Sequence, residues 1–526
     1  MKNSLALIPI LFGAAFSGEL AAKASSIGTT SRPNILFCIA DDASFPYLSA
    51  YGCKWVKTPA FDRVAKEGVL FTNAYTCNAK CSPSRASILT GRNSWQLKEA
   101  ANHSPYFPSE FKSIVESLDE NGYNVGFTGK GWAPGDPGKI NGEPRKLTGK
   151  SYNQLKKVPP AEFISPTDYS ANFSAFLTEN NGKPWFFWYG GHEPHRAYEY
   201  GAGIKKGHKN LTEIDKVPTF WPDNDTIRTD ILDYAFEVEY FDSELGKILD
   251  ILAKSGQLEN TLIVVTSDNG MPFPGIKGQE YEMSNHLPLA MMWKKGINKS
   301  GRVVNDMVRF IDFAPTFAEL AGIDWAKSGM RSTPGRSLTD ILFSEKDNTV
   351  SKTYDHVLIG KERHDVGRPN DQGYPIRGIV KDGFIMLRNF EPERWPACNP
   401  ETGYLNCDGS PTKSFILNMR RQGKTDFFWK YSFDKRPPIE FYDIRKDPLC
   451  MTNLAGDDRY LQLISQMEKQ MTEELKSQGD PRMFGNGTVF DNYPYAGAVS
   501  NFYNRFMKGE QIETPWVEKS DFEPVK

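Results

Sequence analysis

Three stretches of the chain are apolar almost without a break: residues 34–40, 185–189 and 261–266. Runs of that length without polar alternation mark strands buried on both faces, the pattern of a parallel sheet covered by helices on each side. Residues 69–75 and 124–128 read as further extended segments of the same sheet. Between them the period lengthens to that of helices. Thr58-Pro59 opens one in N-cap and N1 order, with Phe61, Val64 and Ala65 on one face and Gly68 closing it. Residues 109–122, 229–255 and 307–322 predict three more, and residues 134–182, rich in Gly, Pro, Lys and Asn, predict a long loop over the site.

From about residue 350 the texture changes. Residues 356–360, 376–380, 384–388 and 440–445 read as short strands joined by turn residues, and 459–477 as an amphipathic helix, which predicts a small antiparallel sheet with a helix on it. The expected architecture is α/β: a large, mixed, mostly parallel sheet sandwiched by helices over 25–350, then a smaller C-terminal α+β subdomain over 351–526. No internal repeat is found.

Composition narrows the function more than the fold. A formal net charge of −2 over 526 residues gives no electrostatic case for nucleic acid or an anionic membrane. Aromatic content of 13% suits stacking surfaces such as sugar sites. Lys2, the apolar run from Leu5 to Phe16, and Ala22-Lys23-Ala24 form a cleavable signal peptide over 1–24. That run is too short to span a bilayer, and no later stretch approaches roughly 20 apolar residues. The expectation is an exported protein, periplasmic or secreted, with no membrane span. Seven cysteines are few for a disulfide framework, although Cys398 and Cys407 could close one local loop. No Cys/His cluster suggests zinc.

The chemistry sits where strands end. Asp41-Asp42 closes the first apolar run and Asp268-Asn269-Gly270 follows the last. Either could be only a cap or a turn. A parallel sheet would bring both ends to one edge, where α/β folds place their ligands. Three carboxylates and an amide oxygen there would make an oxygen-only site for Ca²⁺ or Mg²⁺. Lys130 stands between Gly129 and Gly131 at another strand end, His192 and His195 follow a third, and Lys277 rides a loop between Gly275 and Gly278. Cys81, in Cys81-Ser-Pro-Ser-Arg85, falls where a loop turns into a helix N-terminus, which favours an anion or an oxygen that becomes one.

The series Asp-Asp, Cys-x-Pro-x-Arg, Gly-Lys, His-x-Pro-His, Asp-Asn-Gly and Gly-x-Lys-Gly closely resembles the type I sulfatases of the alkaline phosphatase superfamily. Tyr442-Asp-Ile-Arg-Lys-Asp-Pro448 resembles that family's C-terminal subdomain motif. The resemblance implies that Cys81 is oxidised to formylglycine (3-oxoalanine) by a dedicated maturation enzyme. Its hydrate would attack sulfur with one hydroxyl and expel sulfate through the other. By the same resemblance Asp41, Asp42, Asp268 and Asn269, with residue 81, hold one Ca²⁺. Arg85 and Lys130 hold the formylglycine, Lys277 binds sulfate, and His195 is the general acid. One position departs: the family's Gly-Lys-x-His reads Gly129-Lys130-Gly131-Trp132 here, which leaves His103 or His192 to take that histidine's part, or the second step to be managed differently.

Gly191-His-Glu-Pro-His-Arg196 and Glu362-Arg-His-Asp-Val-Gly-Arg-Pro-Asn370, with Arg377, resemble the heparan N-sulfatase (sulfamidase) branch. That implies a sulfated saccharide substrate, N-sulfoglucosamine of heparin or heparan sulfate, bound by His103, His192, Arg363, His364, Arg368 and Arg377. Arg388, Arg394 and Trp395 could extend the sugar site. An O-sulfatase on another glycan is the alternative linkage. An exported glycan-binding protein with Cys81 unmodified is the alternative class.

Overall fold

The computed structural model describes residues 32–353 and 355–525, so the expected signal peptide lies outside the described residues. Its main sheet is built from β1 (Asn34–Ala40), β2 (Val69–Tyr75), β3 (Asn124–Gly129), β4 (Lys150–Ser151), β5 (Trp185–Gly190), β6 (Thr261–Ser267), β7 (His286–Met292), β8 (Arg302–Val304) and β9 (Val308–Arg309). The order is β8-β2-β7-β6-β1-β5-β3-β4, with β9 also beside β2. All pairings are parallel except those of β7, which runs antiparallel to both neighbours.

Alternate residues of the central strands serve two cores. Ile35, Phe37 and Ile39 join Phe186, Trp188, Leu262 and Val264 on one face, packed against α2 (Cys81–Thr90), Ile114–Glu120 and Phe313–Leu320. Leu36 and Cys38 join Phe187, Tyr189, Ile263 and Val265 on the other, beneath α1 (Pro59–Lys66), Tyr169–Glu179 and the 30-residue helix Asp225–Lys254. Burial on both sides explains the unbroken apolar runs.

Three expectations need correction. The 134–182 segment is not one long loop: Tyr169–Glu179 is a helix capped by Asp168, whose Oδ1 accepts from Ala171 N at 3.0 Å. Tyr169, Phe173 and Phe176 are its buried stripe, a signal diluted by the polar residues between them. The helix expected over 307–322 is shorter, Phe313–Leu320, because Val308–Arg309 pairs with β2 first. Cys398 and Cys407 are both free thiols. Their sulfurs turn to different carbonyls, Asp365 O and Asp408 O.

The second sheet is β10 (His356–Lys361), β11 (Ile376–Lys381), β12 (Phe384–Asn389) and β13 (Ile439–Asp443), antiparallel in that order. One face packs on Leu461–Ser477 through Ile464, Met467, Met471 and Leu475, and the other meets Tyr75 and Met307 of the main body. Gly360 N donates to Cys77 O at 2.8 Å, so the end of β10 arrives beside the loop that carries Cys81. No described helix is long and apolar enough to cross a membrane.

Candidate active site

Strand register assembles the site. Ala40 of β1 lies opposite Ser267 of β6, Ile39 opposite Gly190 of β5, and Gly129 of β3 opposite Gly190. The residues that follow, Asp41-Asp42, Asp268-Asn269, Lys130 and His192–His195, therefore leave one edge side by side. Gly190 permits the closeness, since a Cβ there would stand 1.9 Å from Lys130 O. Asp42 takes φ 76, an uncommon conformation for a residue with a side chain. Asp42 N donating to Asp268 Oδ1 at 3.1 Å and Ala43 N donating to Ser267 Oγ at 2.7 Å hold it there.

Helix α2 begins at Cys81, and all ten of its residues are buried. Cys81 Sγ lies 3.5 Å from Asp41 Oδ1 and 3.9 Å from Asp42 Oδ1. Burial, aided by Asp41 and Asp268 against the pull of Lys130, pushes the thiol well up, so the cysteine itself stays protonated and is a poor nucleophile. Four residues further on, Arg85 donates through Nε to Asp268 Oδ2 at 2.7 Å and through its terminal nitrogen to the carbonyls of Lys130 and Gly131. Lys130 Nζ is 2.7 Å from Asp41 Oδ2. Lys277 Nζ bridges Asp42 Oδ2 at 2.7 Å and Asp408 Oδ2 at 2.8 Å. Burial works to raise Asp41, but Lys130 and Arg85 hold its carboxyl well below the usual range. Asp268 is pushed up to about 7 by burial, with Asp41 and Asp42 adding to the effect against the pull of Arg85.

The donor set fits a hard cation. Asp41, Cys81 and Asp268 bring ligand-type atoms within 4.8 Å of one another, as do Asp42, His195 and Asp408. The buried Asn269 Oδ1 has no hydrogen-bond partner, although its Nδ2 donates to Asp42 Oδ1 at 2.7 Å. An orphaned amide oxygen beside three carboxylates suits a metal that takes oxygen ligands. Charge agrees: Asp41, Asp42, Asp268 and Asp408 face Arg85, Lys130 and Lys277, while Lys80 and Asp365 cancel at 2.9 Å. Four carboxylates against three cations leave one carboxylate in excess, and a cation would favour the ionised form of all four, Asp268 included. A divalent ion would turn that excess into a surplus positive charge, ready for a monoanionic ligand.

Above this floor opens a cavity of about 660 Å³. Asp41, Cys81, Lys130, Lys277, His103, His192 and His195 all line it. His195 Nδ1 faces Arg196 O and its Nε2 lies 3.9 Å from Asp42 Oδ2. His103 Nδ1 is 3.3 Å from Asp365 Oδ1, and burial pushes its imidazole down to about 4 despite that carboxylate. Trp132 fills its position as a packing residue: its Nε1 donates to Ser82 O at 3.1 Å and its ring meets Phe107 edge-on.

Four expected sugar contacts are corrected by their surroundings. Arg363, His364, Arg368 and Arg377 are each 2% exposed or less, and none lines the cavity. Arg377 is clamped by Asp480 and Glu362, and Arg363 by the carbonyls of Tyr493 and Pro494. Arg368 donates to Trp395 O and Pro396 O, while His364 Nε2 meets Asn78 Oδ1 at 2.7 Å. Arg388 pairs with Glu468 and Arg394 with Asp491, outside the cavity lining, as is Trp395. Lys80, Asp365, Asp408, Phe163, Tyr495 and Trp516 line the cavity unforeseen. Asp365 stood inside the segment 362–370 and Lys80 directly before the Cys81 motif; nothing local marks the others.

A model of the Sulfatase family matches residues 33–323, more than half of the chain. The chain belongs to that family. It is therefore a hydrolase of sulfate esters or sulfamides, and its mixed sheet is the alkaline phosphatase-like one. A second model, described as N-sulphoglucosamine sulphohydrolase, C-terminal, matches residues 277–373. This sulfatase is 27% identical over 473 residues to an ulvan-active sulfatase of Formosa agariphila, covering 88% of the chain and 84% of the relative. It is 26% identical over 491 residues to human N-sulphoglucosamine sulphohydrolase, covering 86% and 91%. Among solved structures, a protein bound to its substrate D-glucosamine-2-N,6-O-disulfate superposes with a TM-score of 0.62 at 19% identity, over 86% of this chain and 99% of that one. A 2-O GAG sulfatase gives 0.60 at 18%, over 86% and 94%. At those identities the likeness speaks for the fold.

Proposed function

We propose that this sulfatase removes sulfate from a sulfated saccharide, with the N-sulfate of glucosamine as the scissile group, using a formylglycine made from Cys81 and one Ca²⁺. The observation that carries the chemistry is Cys81 itself: a buried, protonated thiol at a helix start, against two carboxylates and ringed by Arg85, Lys130 and Lys277. When present, the formylglycine hydrate supplies an oxygen nucleophile and Ca²⁺ a Lewis acid and fixed charge. Asp41, Asp42, Asp268 and Asn269 would hold the ion.

The chain's own side chains do the rest. Lys277 and Lys130 neutralise charge on the transferring sulfuryl group, and Arg85 fixes the end of α2 by bonding Asp268 and two carbonyls. His195 presents Nε2 to the leaving atom, because Nδ1 is engaged by Arg196 O. A proton given from that Nε2 to the leaving atom is the general-acid step. His103 or His192, both of which line the cavity, stands in for the histidine that Trp132 replaces.

The N-sulfated substrate draws support from the C-terminal family match and from the human relative, which aligns over most of its length. An O-sulfated glycan is the second reading, favoured by the ulvan-active relative. We also assign the catalytic part to 25–350, the subdomain to 351–526, export to the signal over 1–24, and maturation to a separate oxidising enzyme. Two measurements test the reading. Mass spectrometry of the Cys81 peptide from active, natively expressed protein should find the aldehyde; unmodified thiol there would sink it. Sulfate release should be faster from N-sulfoglucosamine than from glucosamine 6-O-sulfate, and release from the ester alone would hand the substrate to the second reading.

A further inference from the structure

Asp408 reaches the reaction centre from the C-terminal part of the chain. Its side chain is 6% exposed, and its Oδ2 accepts from Lys277 Nζ at 2.8 Å. Among the described residues no donor reaches Oδ1, and the residue lines the cavity. Its ligand-type atom lies within 4.8 Å of those of His195 and Asp42, so this carboxylate stands beside the imidazole assigned above as general acid. The surrounding backbone is pinned. Lys413 Nζ, fully buried, donates to Cys407 O at 2.7 Å and Gly403 O at 2.8 Å and pairs with Asp521, and Asn406 Nδ2 donates to Gly278 O at 3.3 Å.

Lys277 does not require this partner, since Asp42 already holds it at 2.7 Å. The other oxygen of Asp408 is left open to the cavity, where it can accept from water or from a ligand N–H. We propose that Asp408 is the specificity-determining residue that selects a sulfamide over a sulfate ester, by accepting a hydrogen bond from the leaving nitrogen. The inference rests on the N-sulfate reading above and deepens it.

The chemistry discriminates sharply. An ionised carboxylate is an acceptor only. The bridging nitrogen of R–NH–SO₃⁻ carries an N–H before cleavage. During transfer the S–N bond breaks and its electron pair stays on nitrogen, which takes the Nε2 proton of His195 and leaves as R–NH₂. The sulfuryl group forms its new S–O bond with the hydroxyl nucleophile proposed at position 81, whose O–H bond breaks and whose proton passes to water. The freed amine then takes a second proton from water to become an ammonium, still facing Asp408. The bridging oxygen of an ester carries no hydrogen, so its lone pairs would meet the carboxylate's with nothing between them. Recognition of this kind combines attraction for one substrate with repulsion of the other.

The test compares wild type with Asp408→Asn and Asp408→Glu on N-sulfoglucosamine and on an aryl sulfate ester. Asp408→Asn, whose amide can donate, should lower kcat/KM for the sulfamide by about 10- to 100-fold, the range of a lost charge-assisted hydrogen bond, and raise it for the ester, because the repulsion goes with the charge. Asp408→Glu should keep the preference for nitrogen. Calorimetry gives a second readout independent of turnover: wild type should bind glucosamine more tightly than glucose, and Asp408→Asn should lose that difference. Parallel loss on both substrates, or no loss on either, with melting temperature unchanged, overturns the role of Asp408 and leaves the N-sulfate reading standing. A wild type that cleaves only the ester overturns the reading and this inference together.

Discussion

Arg377 separates two accounts of the same residue. As a sugar contact it would govern substrate affinity; in the structure it is a buried strut. It is fully buried, with Nε 2.8 Å from Asp480 Oδ2 and its terminal nitrogen 2.7 Å from Glu362 Oε1 and 3.0 Å from Asp480 Oδ1. Arg377→Met keeps the unbranched apolar stem of the side chain and deletes the guanidinium with its charge. Glu362 retains Arg482, but Asp480, 0% exposed, loses its only salt bridge among the described residues. Removing one member of a buried pair costs about 3–5 kcal/mol. With about 2.1 cal/mol/K of unfolding entropy per residue, a whole chain melting as one unit would drop by roughly 3–5 °C, and a C-terminal part melting alone by roughly 8–13 °C. Differential scanning calorimetry reads the shift, and a sulfate-release assay below the transition should return a KM within about twofold of wild type. Adding Asp480→Asn should recover part of the stability, because the stranded charge goes with it. A KM raised tenfold or more at unchanged melting temperature would refute the structural account and restore Arg377 to the sugar site.

Asp42→Asn should fold, since Asn tolerates the left-handed conformation that Asp42 adopts, and should bind Ca²⁺ at least about tenfold more weakly, read by titration with ion-selective detection. His103 gives a pH signature. Its folded value of about 4 lies below the ordinary value near 6.5, so it contributes stability above pH 6.5 that is lost as pH falls towards 4. His103→Gln should flatten the melting temperature across that window. Trp132→Phe withdraws the indole N–H from Ser82 O and should cost about 1–3 kcal/mol by thermal denaturation, with turnover reduced because Ser82 adjoins the nucleophile position.

The gathering of Asp41, Asp42, Asp268 and Asn269 beside Cys81 was legible because each part is local. Asp41-Asp42 and Asp268-Asn269 end apolar runs, and a parallel register with Ala40 opposite Ser267 is enough to bring them together. Cys81 carried its own motif. The sugar-facing wall was not legible. Asp408 meets Lys277 across 131 residues and Lys80 meets Asp365 across 285, and no periodicity in either segment anticipates the contact. The arginines misled for a related reason. Arg363, Arg368 and Arg377 cluster in sequence as a polyanion site would, but two of them spend their donors on carbonyls and the third on buried carboxylates. Charge count along a chain does not say which charges are already spent. Cys398 and Cys407 failed similarly: nearness in sequence did not turn their sulfurs towards each other.

The helix that begins at Cys81 has no exposed residue, and the C-terminal sheet is tied to its approach through Gly360 and Cys77. Burial on that scale turns maturation into a race. Under the proposal that Cys81 becomes formylglycine, a modifying enzyme would reach the thiol only while the helix is unpacked, and a chain that folds first would remain as a stable, inactive product. Specific activity in a preparation then reports the ratio of two rates, oxidation and folding, rather than the quality of the fold. Slowing synthesis or supplying more of the maturation enzyme should raise activity per molecule while leaving yield and melting temperature unchanged.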